Sequence, residues 1–515
     1  MRQLFRQLVR RKSVDLLIEE ATQRSGLKRV LGTLELTLLG VGAIIGAGIF
    51  TSVGSAIAGD AVRVGAGPAL VISLLLVSVA SGLAALCYAE FASMIPAAGS
   101  AYTYSYATLG ELVAWIIGWD LIIEYAIGNV AVAISWSGYL DTLLRGVGIH
   151  IPAWLLTDYR SALQAAAEVA RAADPSTLSF TVRQAAEAAQ TAPHIFGIPF
   201  IFNFPAVFIV AAITVVLVIG IKESAWFNNV MVIIKIGVVL LFLAVGARYV
   251  RPENWTPFAP NGFKGIAVGA ALIFFAYIGF DAVSTAAEET RNPQRDVPRG
   301  IIYSLIICTV LYIAIALVLT GVMPWRLLGV ADPLAAALTY IHADWFAGII
   351  AFGAVMAMTS VLLVFQLGQP RIFFSMARDG LLPPWAAKVH PRFRTPHVTT
   401  IITGVFVAIP AAFANINEMV ELTNIGTLFA FFLVALGIII LRRTDPDRPR
   451  PFRTPFVPVF PLLAMALCVW LMVNLPLRTW LLFGAWLVIG LVIYFAYSYR
   501  HSRLRTGGAA VQPGA

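Results

Sequence analysis

The chain has 515 residues, of which 59% are hydrophobic and 12% charged, with a formal net charge of +9. Soluble proteins carry roughly 25% charged residues, so an ordinary soluble domain is excluded. Apolar runs near the roughly 20 residues that cross a bilayer as a helix recur along the whole length. Membrane strands would be half as long and would alternate in polarity, so the expected fold class is all-α integral membrane. The cysteines Cys87, Cys308 and Cys468 sit singly in apolar runs, and the histidines fall in loops or at segment ends. That leaves no disulfide framework and no metal-ligand spacing.

In chain order, residues 1–32 are basic and amphipathic and lack both the continuous apolar core and the small-residue cleavage site of a signal peptide. They read as a cytosolic or interfacial segment. Twelve spans follow, at about 33–57, 68–95, 111–143, 203–221, 225–247, 265–286, 300–322, 346–369, 398–415, 418–441, 456–474 and 479–499. The third is long enough to tilt or protrude. Between spans 3 and 4 lies an insert, 144–202, whose alanine-rich stretches "YRSALQAAAEVARAA" and "TVRQAAEAAQ" predict two short helices. The tail, 500–515, ends in "TGGAAVQPGA" and reads as disordered beyond Arg505.

An even number of spans puts both termini on one side, and the positive-inside rule chooses which. With the termini in the cytosol, cytosolic segments hold 25 of the 36 Lys and Arg and the opposite side 10. The excess positive charge then faces anionic lipid and requires no nucleic acid. The one left over is Lys235, in the middle of span 5.

Span 1 carries "GVGAIIGAGIF" at 40–50, and three readings compete for its glycines. Gly40, Gly42 and Gly46 approximate a dinucleotide fingerprint, but that chemistry needs a βαβ unit, which a membrane span does not supply. Gly42 and Gly46 form a GxxxG pair that lets helices approach closely. The third reading is a broken helix, and it needs a counterpart at the corresponding place in a second repeat. Span 6, "ALIFFAYIGFDAVSTAAEET", lies there in a five-plus-five arrangement and carries Gly279 followed by Asp281. That match favours the break, with Gly40 and Gly42 serving close packing. Unwinding around Gly46, Ala47 and Gly48 frees N–H groups for a carboxylate. Carbonyls at the end of the first half-helix and at Phe275, Ala276 and Ile278 suit an ammonium. Donors beside acceptors at mid-membrane make a receptor for a zwitterion, of which an α-amino acid is the natural case.

Five stretches carry a family resemblance: "LLGVGAIIGAGIF", "CYAEFASMIPAAGSAYTYSYATLGELVAWIIGWDLIIEY", "FFAYIGFDAVSTAAEETRNPQRDVPRGI", "GQPRIFFSMARDGLLP" and "PFRTPFVPVFPLL". From about residue 12 to 499 the chain resembles the amino acid–polyamine–organocation superfamily, in particular bacterial proteins similar to cationic amino acid transporters. The resemblance implies a LeuT-type fold, with inverted repeats over 33–247 and 248–441, two further spans over 442–499, and alternating access. It implies an amino acid held by Ile44, Gly46, Ala47 and Gly48 and by Phe275, Ala276 and Ile278. Many relatives have Ser or Thr where this chain has Ala47, so backbone N–H groups must replace a hydroxyl there.

A lysine at the centre of a span costs about 2.5–3.5 kcal/mol. Lys235 is either packed against carbonyls for structure or a proton carrier whose charge desolvation disfavours. In related proton-coupled members a span-5 lysine resembles a stand-in for sodium between spans 1 and 8, which predicts that Lys235 braces span 1 against span 8 near Thr359 and Ser360. Asp120 and Glu124 share a face of span 3. Glu124 either approaches the substrate site or Lys235, or is a structural acid between packed helices. Asp281 is expected to cap the half-helix that follows it, and Glu288 and Glu289 to form gate or surface pairs. Met358 either lines the pocket, favouring small apolar substrates, or fills ordinary helix packing.

No set of nucleophile, base and metal ligands suggests an enzyme. The expected function is proton-coupled import of an α-amino acid at the cell membrane, with an exchanger or sodium-coupled symporter as the alternative and a channel or sensor behind them. The implied partners are an amino acid, protons and the lipid bilayer, with a small membrane accessory subunit left open. No cofactor or metal is expected.

Overall fold

The computed structural model describes residues 10–17, 30–60, 62–95, 100–172, 174, 178, 180–220, 225–393 and 395–504. Lys222, most of the N-terminal segment and the tail beyond 504 lie outside the described residues, as does the side chain of Glu288.

Hydrocarbon offers no water to a backbone N–H, so each apolar stretch must close its hydrogen bonds within itself. The regular structure of the described residues is accordingly helical apart from a small hairpin pairing His194–Ile195 with Ile198–Pro199. Among the described residues eight helices are long and apolar enough to cross a membrane: Gly67–Met94, Glu111–Gly146, Asn229–Tyr249, Gly262–Thr285, Pro293–Val322, Asp344–Arg378, Ile416–Thr444 and Leu477–His501. They stand at the places expected for spans 2, 3, 5, 6, 7, 8, 10 and 12, and that numbering is kept. Thr33–Ile44 and Gly48–Ala58, bent by 44°, together make a ninth at the place of span 1. Shorter apolar helices Phe204–Ile219, His397–Phe413 and Val459–Val473 occupy the places of spans 4, 9 and 11. The chain is an all-helical, multi-pass membrane protein.

Several boundaries differ from expectation for identifiable reasons. Span 7 starts early because Pro293 occupies its first turn, where a missing N–H costs nothing. Span 8 runs on through Pro370 to Arg378. The helix Ser100–Thr108 is fully buried, yet its sequence "SAYTYSYAT" is too polar to register as apolar. Pro333–Tyr340 is a further short helix between spans 7 and 8.

The described parts of both terminal segments meet at one end of the bundle. Glu111 donates its backbone N–H to Arg10 at 2.9 Å, Lys12 donates to the Tyr106 carbonyl at 3.1 Å, and the Arg10 guanidinium donates to the Leu504 carbonyl at 3.0 Å. At the far end, the insert forms helices Tyr159–Arg171 and Phe180–Thr191, packed through Ala165, Ala185 and Ala186. Asp158 caps the first of them by accepting from the Ser161 N–H at 2.9 Å. Arg160 ties it to Glu418 of span 10 at 2.8 Å.

Without a hydrophobic drive between helices in lipid, close backbone approach supplies the association energy. The first half of span 1 meets span 7 in this way: a Cβ on Gly40 would lie 2.5 Å from Ser304 Oγ, and one on Gly300 2.8 Å from Leu36 Cβ. Gly40→Ala is therefore expected to cost about 1–3 kcal/mol by overpacking, read as a lower unfolding midpoint in detergent. Adding Ser304→Gly should restore most of the loss; no recovery would place the strain elsewhere.

Candidate functional site at the breaks of spans 1 and 6

Span 1 stops being helical where Ile45 turns extended, at φ −75° and ψ 101°, and resumes at Gly48 as one wide turn through Ser52. Span 6 narrows to a tight helix over Phe274–Tyr277, turns extended at Ile278, and passes through Gly279 at φ +116° before the short helix Ala282–Thr285. Only glycine takes that φ without strain.

The two breaks touch. A Cβ on Gly48 would meet the Ala276 side chain at 2.7 Å and its amide nitrogen at 2.8 Å. One on Gly279 would meet the Ala43 carbonyl at 2.9 Å. Ile44, Gly46, Ala47, Gly48, Phe275, Ala276 and Ile278 are all buried at this contact or beside it. Span 8 closes another side, since a Cβ on Gly46 would lie 3.1 Å from Val361 Cγ2. Met358 is fully buried three residues earlier, on the same face of that helix.

Breaking a helix in a membrane orphans carbonyls, and each must find a donor. Lys235 Nζ donates to Gly42 O at 2.5 Å, and Tyr312 Oη of span 7 donates to Ile44 O at 3.0 Å. Tyr139 Oη of span 3 donates to Phe50 O at 2.6 Å, just past the break. On span 6, Asn424 Nδ2 of span 10 donates to Ala271 O at 2.8 Å and Leu272 O at 3.1 Å. Lys235 is fully buried and forms no ion pair among the described residues. Its position at the carbonyl end of Thr33–Ile44 places the ammonium at the negative pole of that half-helix.

Some expected neighbours are arranged differently. Thr359 accepts from Trp136 Nε1 of span 3 at 2.9 Å and donates to Val355 O at 2.8 Å. Ser360 has no hydrogen-bond partner among the described residues. No hydrogen bond joins either to Lys235, whose reach is spent on span 1. Glu124 sits in a widened turn, Ile123–Ile127, within interaction range of Asp281, Asp120 and Thr427 rather than paired with Lys235. Asp281 stands at the N-cap position but makes no capping hydrogen bond, contrary to expectation. One of its oxygens accepts from Tyr125 Oη at 3.5 Å and the other, buried, meets no hydrogen-bond donor in bonding geometry among the described residues. Tyr312, Tyr139 and Asn424 were missed in the sequence. The available signal was a polar tip on an otherwise apolar span, which burial obliges to find a partner.

Toward the far end, Arg63, from the loop after span 1, pairs with Glu421 of span 10 and with Asp60, the latter at 2.5 Å. Burial works against the Arg63 charge, but Glu421 and Asp60 outweigh it and hold its pKa above the ordinary value. A pocket of about 220 Å³ opens there, between Arg63, Lys264, Glu421, Asn474 and the Ala271–Leu272 turn of span 6.

The sequence profile described as amino acid permease matches residues 31–495. The chain is 48% identical to the branched-chain amino acid permease BcaP of Bacillus subtilis, over 96% of this chain and 98% of that one. It is 46% identical to the methylthioribose transporter of the same organism, over 96% and 99%. Mouse cationic amino acid transporter 4 is 35% identical over 84% of this chain and 62% of its own length. A helical membrane chain with two facing helix breaks, matched nearly end to end by the two Bacillus subtilis relatives and over 31–495 by the permease profile, is a transporter and not an enzyme, and it belongs to the amino acid permease family of the amino acid–polyamine–organocation superfamily.

Proposed function

We propose that the protein imports an α-amino acid by proton-coupled symport with alternating access. In this reading all twelve helices span the cell membrane, with both termini cytosolic as the Lys and Arg distribution favours. Spans 1–5 (33–247) and 6–10 (248–441) are inverted repeats, and spans 11 and 12 (442–499) stand outside them. The observation that carries the reading is the contact of the two breaks, Gly48 against Ala276 and Gly279 against Ala43. Interrupted helices that meet in a membrane offer N–H donors and carbonyl acceptors to one small ligand, matching a zwitterion's two ends.

The substrate groups fall to Gly46, Ala47 and Gly48 for the carboxylate, and to the Ile44 end of the first half-helix with Phe275, Ala276 and Ile278 for the ammonium. Met358, on the span-8 face that meets Gly46, limits the side-chain space, and with no charge there the pocket suits an aliphatic substrate. The name of the 48% identical relative supports a branched-chain one. Methylthioribose has neither the carboxylate nor the ammonium, and the 46% identical relative named for it supports the second reading, a thioether sugar in the same cleft. Thermal shift of the purified protein with valine, isoleucine, lysine and methylthioribose separates the two readings.

Lys235 carries the coupling proton in this proposal. While charged, it holds the end of the first half of span 1 through Gly42 O; on losing the proton it becomes a weaker donor and releases that half-helix. Glu124 belongs with Asp281 as a neighbouring acid, and Thr359 and Ser360 line span 8 nearby without touching the ammonium. The alternative coupling, by sodium or by exchange, predicts different driving forces.

Gly48→Leu is expected to weaken amino acid binding by about 100-fold or more, about 2.8 kcal/mol, and to lower the unfolding midpoint as its side chain displaces Ala276; normal binding would remove the breaks from the site. Lys235→Met is expected to abolish accumulation driven by an imposed pH gradient in vesicles. Undiminished pH-driven uptake, or sodium-stimulated uptake of the wild type at fixed pH, would sink the proton assignment. Met358→Ser should admit larger or cationic amino acids in competition assays, and an unchanged profile would take Met358 out of the pocket.

A further inference from the structure

The hairpin at 194–199 puts a phenylalanine where neither backbone nor solvent favours it. Phe196 and Gly197 form its two-residue turn with φ +52° and φ +80°. A turn with both φ positive favours Asn-Gly, because a residue with a Cβ is strained there and a short polar side chain tolerates it best. Phe196 is also 100% exposed. A bulky ring held in a strained turn and aimed entirely outward is explained by something outside the chain that receives it.

What receives it follows from the neighbours. Phe200, Phe202, Phe204 and Phe208 form a continuous ladder of rings, with centroids 5.0, 6.3 and 6.4 Å apart in that order. Phe204 opens the apolar helix of span 4, and Phe204 and Phe208 are about half exposed on its flank. The ladder thus rises from a membrane-facing helix flank to the hairpin without interruption. The tip lies two residue steps, about 7 Å, beyond Pro199. The base of the hairpin is fixed: the Phe200 N–H donates to Pro193 O at 2.8 Å, Phe202 to Trp154 O at 3.0 Å, and Asn203 to Ala412 O, at the end of span 9, at 2.9 Å. The base ties the hairpin to the ends of spans 4 and 9, and aromatic rings gather where such ends meet acyl chains and water.

We propose that the 194–199 hairpin is an interfacial anchor that inserts Phe196 among the lipid headgroups at the end of the bundle opposite the termini. Through Arg160–Glu418 and Asn203–Ala412 the anchored insert is joined to spans 10 and 9, so it fixes that side of the bundle against the leaflet. The proposal rests on the membrane character of the chain and is independent of the substrate.

The native cysteines Cys87, Cys308 and Cys468 are buried, so a nitroxide can be placed on Phe196→Cys without removing them. Gln164→Cys, exposed on the first helix of the insert, provides the water-facing control. In phosphatidylcholine–phosphatidylglycerol vesicles, oxygen partitions into lipid and a neutral nickel chelate stays in water. The expected result is an oxygen-to-nickel collision ratio several-fold higher at 196 than at 164. Equal ratios would put the tip in water and overturn the anchor. A label immobilised and shielded from both agents would mean that protein, and not lipid, covers the hairpin, and would overturn it as well.

Discussion

A fully buried ammonium at mid-membrane must be offset by something, and around Lys235 that is the carbonyl end of a broken helix. No carboxylate pairs with it among the described residues; Gly42 O accepts its hydrogen bond at 2.5 Å. A charge-assisted bond of this kind is roughly twice as strong as a neutral one, and the half-helix dipole adds to it. The dependence runs both ways. Without the break after Ile44 there would be no orphan carbonyls to hold Lys235, and without Lys235 and Tyr312 those carbonyls would face hydrocarbon. Their mutual need brings span 5, through Lys235, and span 7, through Tyr312, to the break.

The same constraint shapes span 6. Its break is possible because Asn424 takes two carbonyls of the last regular turn, and because Gly279 supplies a φ that other residues resist. Gly48 and Ala276 then come together at a distance no larger residue would permit. The small side chains at both breaks are conditions of one contact, made from two sides.

These features differ in how far the sequence exposes them. Helix positions are legible because crossing hydrocarbon demands some 20 apolar residues at a stretch, a signal that survives without any tertiary information. The interruption of span 1 is legible in four glycines within eleven residues, and that of span 6 in Gly279 beside Asp281. The partners are not. Nothing local to Asn424 or Tyr312 says which carbonyl it will satisfy, since that is decided by helices more than a hundred residues away. Thr359 is an example: expected near Lys235, it accepts a hydrogen bond from Trp136 of span 3, a partner that no spacing rule connects to it. The helix Ser100–Thr108 escapes for the opposite reason, being buried among protein rather than lipid, so that its hydroxyls cost it the apolar signature.

The ends of the bundle are built on another principle. At the end bearing the termini, Glu90 is fully buried and takes both arms of Arg442 at 2.8 Å, with Arg450 at 3.3 Å and the Thr454 N–H at 2.7 Å. At the far end, Arg63 joins the loop after span 1 to Glu421 on span 10. Removing one partner from a buried pair costs about 3–5 kcal/mol, because the other charge is stranded. Separating such pairs is cheaper where water can enter, and both sets lie at the ends, where it can. In the proposed cycle the ends would therefore carry the switching charges. Lys235 has backbone as its partner, so that in this cycle a proton leaving or arriving there would change the hold on span 1 without stranding a paired counter-charge in the membrane.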